Sequence, residues 1–199
     1  MSHHKYTTEA FVINLRSRRE ADALVTLFTR ELGVIQAVAT GLRRLLSKMR
    51  MSVGQYSHIR VSVVQGKDFW RLTNAEPRDE YWGSFSKEAK LSFARLSTFL
   101  ARMMPAGEKH EEIFNHLIDC SNFLILLSKS NPKEIQRKSE LIELIFVLRA
   151  LHGLGYLGNP TEWKYVLEGD ITEEVLEHVE KDKKKALNKI NSTLESSHL

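Results

Sequence analysis

The chain has 199 residues, 42% hydrophobic and 27% charged, which is enough to bury a core in one large domain or two small ones. Its one cysteine, Cys120, excludes an intrachain disulfide and a multi-cysteine zinc site, and suits a reducing cytoplasm. The longest apolar runs, Phe123–Leu127 among them, fall far short of the roughly 20 residues that span a bilayer. The opening Met1-Ser2-His3-His4-Lys5 lacks the apolar core of a secretory signal, so a soluble, cytoplasmic protein is expected. The net charge of +4 is unevenly placed: residues 1–75 carry twelve Lys/Arg against five Asp/Glu, a net +7, and the remainder is at −3. A basic half joined to a mildly acidic half points the first toward a polyanion; the plainer alternative is a solvated surface.

In chain order, the first 76 residues read as short strands divided by turn signals. Phe11, Ile13 and Leu15 alternate along the first, Ala23, Val25 and Leu27 along the second, and Val34–Ala39 follows Gly33. Ser57–Gln65 has the clearest period of two, with Ile59, Val61 and Val63 opposite His58, Arg60 and Ser62. Gly66-Lys67-Asp68 then predicts a tight hairpin turn into Phe69–Glu76. Five short strands suit a closed oligonucleotide/oligosaccharide-binding (OB) barrel, although strand number leaves an SH3-like barrel open. After Pro77 the period becomes helical. Ser86–Met104, Glu111–Leu127 and Pro132–Leu154 are predicted helices, and a last one starts near Asp170, where Asp170 and Glu173 have capping-box spacing, and runs through Leu194. The fold class is therefore α+β, an N-terminal five-stranded barrel (1–80), with an OB barrel as the first candidate, followed by an all-α C-terminal domain (81–199).

The segment Gly41–Arg50 places Arg43, Arg44, Lys48 and Arg50 in ten residues without one acid. Mobile cations in a connecting loop supply phosphate contacts and affinity without sequence reading, so these four are candidate DNA contacts. The competing reading packs Leu42, Leu45, Leu46 and Met49 onto the barrel; their i, i+3, i+4, i+7 spacing predicts a short helix on either reading. Alternation along Phe69–Glu76 puts Phe69, Arg71 and Thr73 on one face, an aromatic beside a cation as in base-stacking platforms, which makes Phe69 and Arg71 further candidates. Core packing is the commoner fate of a strand aromatic.

No catalytic constellation holds together. Glu112, His116 and Cys120 share a helical face at i, i+4 and i+8, a pattern that more often marks a half-buried helix edge than a metal or nucleophile site. The chain contains no phosphate-cradling Gly-x-x-x-x-Gly-Lys-Ser/Thr loop, and His110-Glu111 does not continue into a zinc-protease motif. No enzyme activity, metal or cofactor is expected.

Thr8–Arg16 followed by Glu20-Ala21-Asp22 and Leu24–Gly33 resembles the opening of RecO-family DNA repair proteins, in which a first strand, a Glu-Ala-Asp segment and a Leu-x-Thr-x-Phe-Thr strand end before a Gly. Val38–Arg44 with Ser47–Arg50 is similar to that family's basic inter-strand segment, and Leu141–Leu144 through Leu154-Gly155-Tyr156 to its Leu-rich helix. The resemblance implies an N-terminal OB fold, a helical C-terminal domain, binding and annealing of single- and double-stranded DNA, and cooperation with RecR and SSB in loading RecA at the nucleoid. By position it assigns Arg43, Arg44, Lys48 and Arg50 to DNA. Many members also carry a four-cysteine zinc module. Here Tyr156 is followed by Leu157-Gly158-Asn159-Pro160 and no cysteine, so the zinc is expected to be absent and the C-terminal domain shortened or replaced by packed helices. The alternatives to a mediator are a general OB-type single-stranded DNA or RNA adaptor and, from another class, a hydrolase built on Glu112, His116 and Cys120.

Overall fold

The computed structural model describes residues 4–79, 81–158 and 161–196. Among them, β1 (Lys5–Ser17), β2 (Ala23–Thr29), β3 (Gly33–Ala39), β4 (His58–Val64) and β5 (Trp70–Asp79) precede α1 (Tyr81–Ser84), α2 (Lys87–Met103), α3 (Glu111–Leu127), α4 (Pro132–Gly153), a 3-10 turn (Thr161–Trp163), α5 (Lys164–Leu167), α6 (Glu173–Lys181) and α7 (Lys183–Ser196). Two compact units result: Met1–Gly83 with Ser97–Glu111, and Ser84–Leu96 with Glu112–Leu199.

In the first unit the strands close in the order β1-β2-β3-β5-β4, with β3 and β5 parallel and every other pair antiparallel. This closure is that of an OB barrel. Ala10, Val12, Val25, Leu27, Ile35, Ala37, Ile59, Val61, Val63 and Leu72 fill its interior. The predicted inward set of β2 and β4 is the observed one. On β1 it is not: Ala10 and Val12 enter the barrel, and Ile13 is the extra residue of a bulge between Val12 and Asn14. The bulge switches the alternation, so that Leu15 packs on the core while Phe11 and Ile13 are buried on the other face. A second irregularity, between Ser62 and Val63, leaves Thr73 of β5 without a register partner. Trp70 and Leu72 pack on the core while Arg71 and Thr73 are exposed, and the alternation breaks after Thr73, where Ala75 rather than Asn74 is buried. Phe69 lies outside the strand, in a five-residue connection rather than a tight hairpin turn. Gly66 is required there, because a Cβ would sit 2.3 Å from the Phe69 carbonyl oxygen.

In the second unit, α3 matches its predicted bounds and α4 begins at Pro132, behind an Asn131 cap whose side chain accepts from the Glu134 N–H at 3.0 Å. The predicted last helix is two: Thr172, not Asp170, caps α6 by accepting from the Val175 N–H, and Asp182 ends α6 before α7 restarts at Lys183. Buried Trp163 and Val166 belong to a short helical segment that periodicity did not signal, since three or four residues are too few to show a period.

Candidate nucleic-acid interface

The Glu20-Ala21-Asp22 segment has a structural purpose. Arg18 N–H bonds the Asp22 carbonyl, tightening the β1–β2 turn, while Asp22 Oδ1 accepts from the Gly41 N–H at 2.8 Å and the Ala21 carbonyl accepts from the Arg43 N–H at 3.0 Å. The β1–β2 turn thereby clamps the root of the long β3–β4 connection. Arg43 Nη1 donates to the Arg19 carbonyl at 3.4 Å, and the Arg18 guanidinium lies 4.6 Å above the Phe69 ring. Three loops far apart in sequence thus bring Arg18, Arg19, Arg43 and Phe69 to one end of the barrel.

Beyond Gly41 the expected short helix does not form. Arg44 N–H bonds the Gly41 carbonyl, Ser47 the Arg44 carbonyl and Arg50 the Ser47 carbonyl, a chain of turns without the consecutive i to i−4 bonds of a helix. Leu42 is pulled into the barrel end and Met49 packs against the core. Leu45 and Leu46, by contrast, are 86% and 96% exposed, which overturns the packing alternative for both. Arg43, Arg44, Lys48 and Arg50 are exposed, and among the described residues none of them is ion-paired. The contrast with the far part of β1 is clear: there Glu9 takes both Arg30 at 3.0 Å and Arg78 at 2.9 Å. Arg71 is exposed on β5, opposite Val38 and Val64.

A groove of about 480 Å³ in the same unit escaped sequence reasoning. Asn14 and Arg16 of β1, Gln36 of β3, Gln55 and Tyr56 of the following connection and Arg102 of α2 line it, and no carboxylate does. Arg16 and Arg102 are exposed and, among the described residues, without an acidic partner. Tyr56 has φ +67°, a left-handed conformation that a bulky residue adopts at a cost of about 1 kcal/mol or more. Amides, guanidinium groups and an aromatic suit bases and phosphates together. These residues belong to strands and loops of different periods, and only the barrel's closure makes them neighbours.

Glu112 and His116 line one pocket, but Cys120 does not join them there. Glu112 is exposed, whereas Cys120 is buried with its thiol pushed up to about 12, so it stays protonated. His116 accepts from Arg149 Nη1 at 3.4 Å; burial, and then the Arg149 charge, lower its pKa to about 4. Among the described residues no cluster of three His, Cys, Asp or Glu side chains could hold a metal ion, and no helix is long and apolar enough to cross a membrane.

The pattern of the family described as "Recombination protein O N terminal" matches residues 1–81, the whole of the barrel strands. The barrel is thus similar to the N-terminal domain of RecO proteins. Curated RecO relatives extend the likeness into the helices. The DNA repair protein RecO of Heliobacterium modesticaldum is 28% identical over 151 residues, covering 76% of this chain and 52% of the relative. That of Desulfitobacterium hafniense is 27% identical over 155 residues with the same coverage. A shorter match, to the DNA repair protein RecO of a Nocardioides species, reaches 35% over 92 residues, 46% of this chain and 36% of the relative. The chain spans about half the length of the first two relatives.

Proposed function

We propose that this chain is a RecO-type protein: a non-enzymatic, DNA-binding recombination mediator of DNA repair, acting in the cytoplasm at the nucleoid. The observation that carries the reading is a barrel end whose acid-free loop offers Arg43, Arg44, Lys48 and Arg50 without ion pairs among the described residues, in a unit that also holds a carboxylate-free groove. Mobile unpaired cations hold phosphates irrespective of sequence, and two strands held by one cationic surface repel each other less, which favours annealing. Phe69 and Arg71 extend the surface. Partner proteins (SSB, RecR and RecA) would then exchange on DNA that this chain holds; no bond is made or broken.

The reading is tested by titrating salt in a single-stranded DNA binding assay. With Arg43, Arg44, Lys48 and Arg50 all changed to Ala, binding to every sequence should weaken alike. The logarithmic salt slope should flatten by up to about three, at roughly 0.7 per phosphate contact. Unchanged affinity and slope would remove the loop from the interface. Strand annealing in the presence of SSB separates a mediator from a plain single-strand or RNA adaptor, which would block it.

A further inference from the structure

Leu45 and Leu46 are the two central residues of the turn closed by the Ser47 N–H on the Arg44 carbonyl. Such positions ordinarily hold Gly, Asn, Asp or Pro, because they project into water. Here they hold two leucines almost wholly exposed, and Met51 beyond them is 92% exposed. Arg43 and Arg44 precede the pair and Lys48 and Arg50 follow it, with no acid from Gly41 to Ser57. Apolar side chains at the tip of a turn, bracketed by cations that meet no acid among the described residues, complement a ligand that is apolar inside and anionic outside. Stacked nucleobases between phosphate backbones have that construction, and aliphatic wedges inserted between bases are a known way to unstack them.

We propose that Leu45 and Leu46 form a wedge that enters the base stack of the single-stranded DNA held by the surrounding cations and breaks one stacking contact. The proposal rests on the DNA-binding reading above and adds a task to it: a strand whose bases are unstacked presents its pairing edges to an incoming complement.

The test uses the full chain and a single-stranded oligonucleotide with 2-aminopurine inside a run of adenines, where stacking quenches its fluorescence. Binding of the unaltered protein should raise the fluorescence, since an aliphatic neighbour separates the bases without quenching. The double variant Leu45→Ser with Leu46→Ser should lose that rise and bind about tenfold more weakly, the effect of one lost base contact. Its salt slope should not change, because no cation is removed. The double Leu→Met variant should keep the rise. Both pairs lie in solvent, so thermal midpoints should match the unaltered protein. A serine variant that keeps both rise and affinity overturns the wedge while leaving the cationic reading intact. Failure of the four-cation alanine variant to change affinity or slope overturns that underlying reading instead. If serine abolishes binding to phosphatidylglycerol vesicles but leaves the DNA signal untouched, the leucines serve a membrane surface and the proposal falls.

Discussion

Arg149 is 2% exposed, yet among the described residues its charge meets no carboxylate at hydrogen-bond distance; Nε and Nη2 donate instead to the carbonyls of Val166 and Gly169, each at 2.7 Å. Carbonyl oxygens at a helix end carry partial negative charge, so the guanidinium ties α5 and the turn after it to α4. The neighbouring His116 must then stay neutral. Its folded pKa of about 4 lies below the ordinary 6.5, so between those values the unfolded chain binds the extra proton and stability falls as the pH drops. The loss should be on the order of 1 kcal/mol, less than the full shift implies, because the ring is only partly buried and solvent screens it. Urea titrations at pH 7 and pH 4.5 should show it, and His116→Gln should flatten the dependence. Cys120 gives a second expectation: with its thiol pushed up to about 12 and no exposed surface, it should resist alkylation at pH 8 until denaturant is added. The cations Arg43, Arg44, Lys48 and Arg50 were readable as a cluster from spacing alone. The partners of Arg18 and Arg149 were not, since each contact joins segments separated by 17 to 51 residues.

Segments obey their periods wherever one local interaction dominates. β2, β4, α3 and α4 fall where apolar spacing and caps place them, because burial of a stripe and satisfaction of end groups agree. They depart where a distant backbone intervenes. The Leu42–Met49 stretch has helical spacing, but hydrogen bonds from Gly41 and Arg43 to the β1–β2 turn hold its root, and the chain leaves as successive turns. Asp22→Ala removes one of those anchors; it should cost about 1 kcal/mol of stability and loosen the loop, seen as faster amide exchange at Gly41 to Arg44. Gly33 shows the same dependence on a remote element. Its φ is +63° and an added Cβ would lie 1.9 Å from the Glu108 carbonyl oxygen, since the segment after α2 runs against β3, with Gly107 N–H donating to the Val34 carbonyl at 3.1 Å. Gly33→Ala should lower stability by about 2 kcal/mol or more in a denaturant melt.

The compact unit that contains the barrel also includes Ser97–Glu111, joined to it by the Val34–Ala106 bridge and the Arg30–Glu111 pair at 3.6 Å. We propose that the stable barrel module ends near residue 111 rather than 80. A fragment of residues 1–111 should then melt cooperatively, whereas 1–83 should bind a hydrophobic dye and melt broadly. Strand number, the three longest helices, the α+β class and the basic loop were legible in the linear pattern, because periodicity and charge composition are local properties. The strand irregularities, the division of the last helix, the polar groove from Asn14 to Arg102 and the solvent-facing leucines came from closure of the barrel and packing of the helices. Both bring together residues with no common spacing, and that contact, rather than any local preference, sets which side chains face the core and which face a ligand.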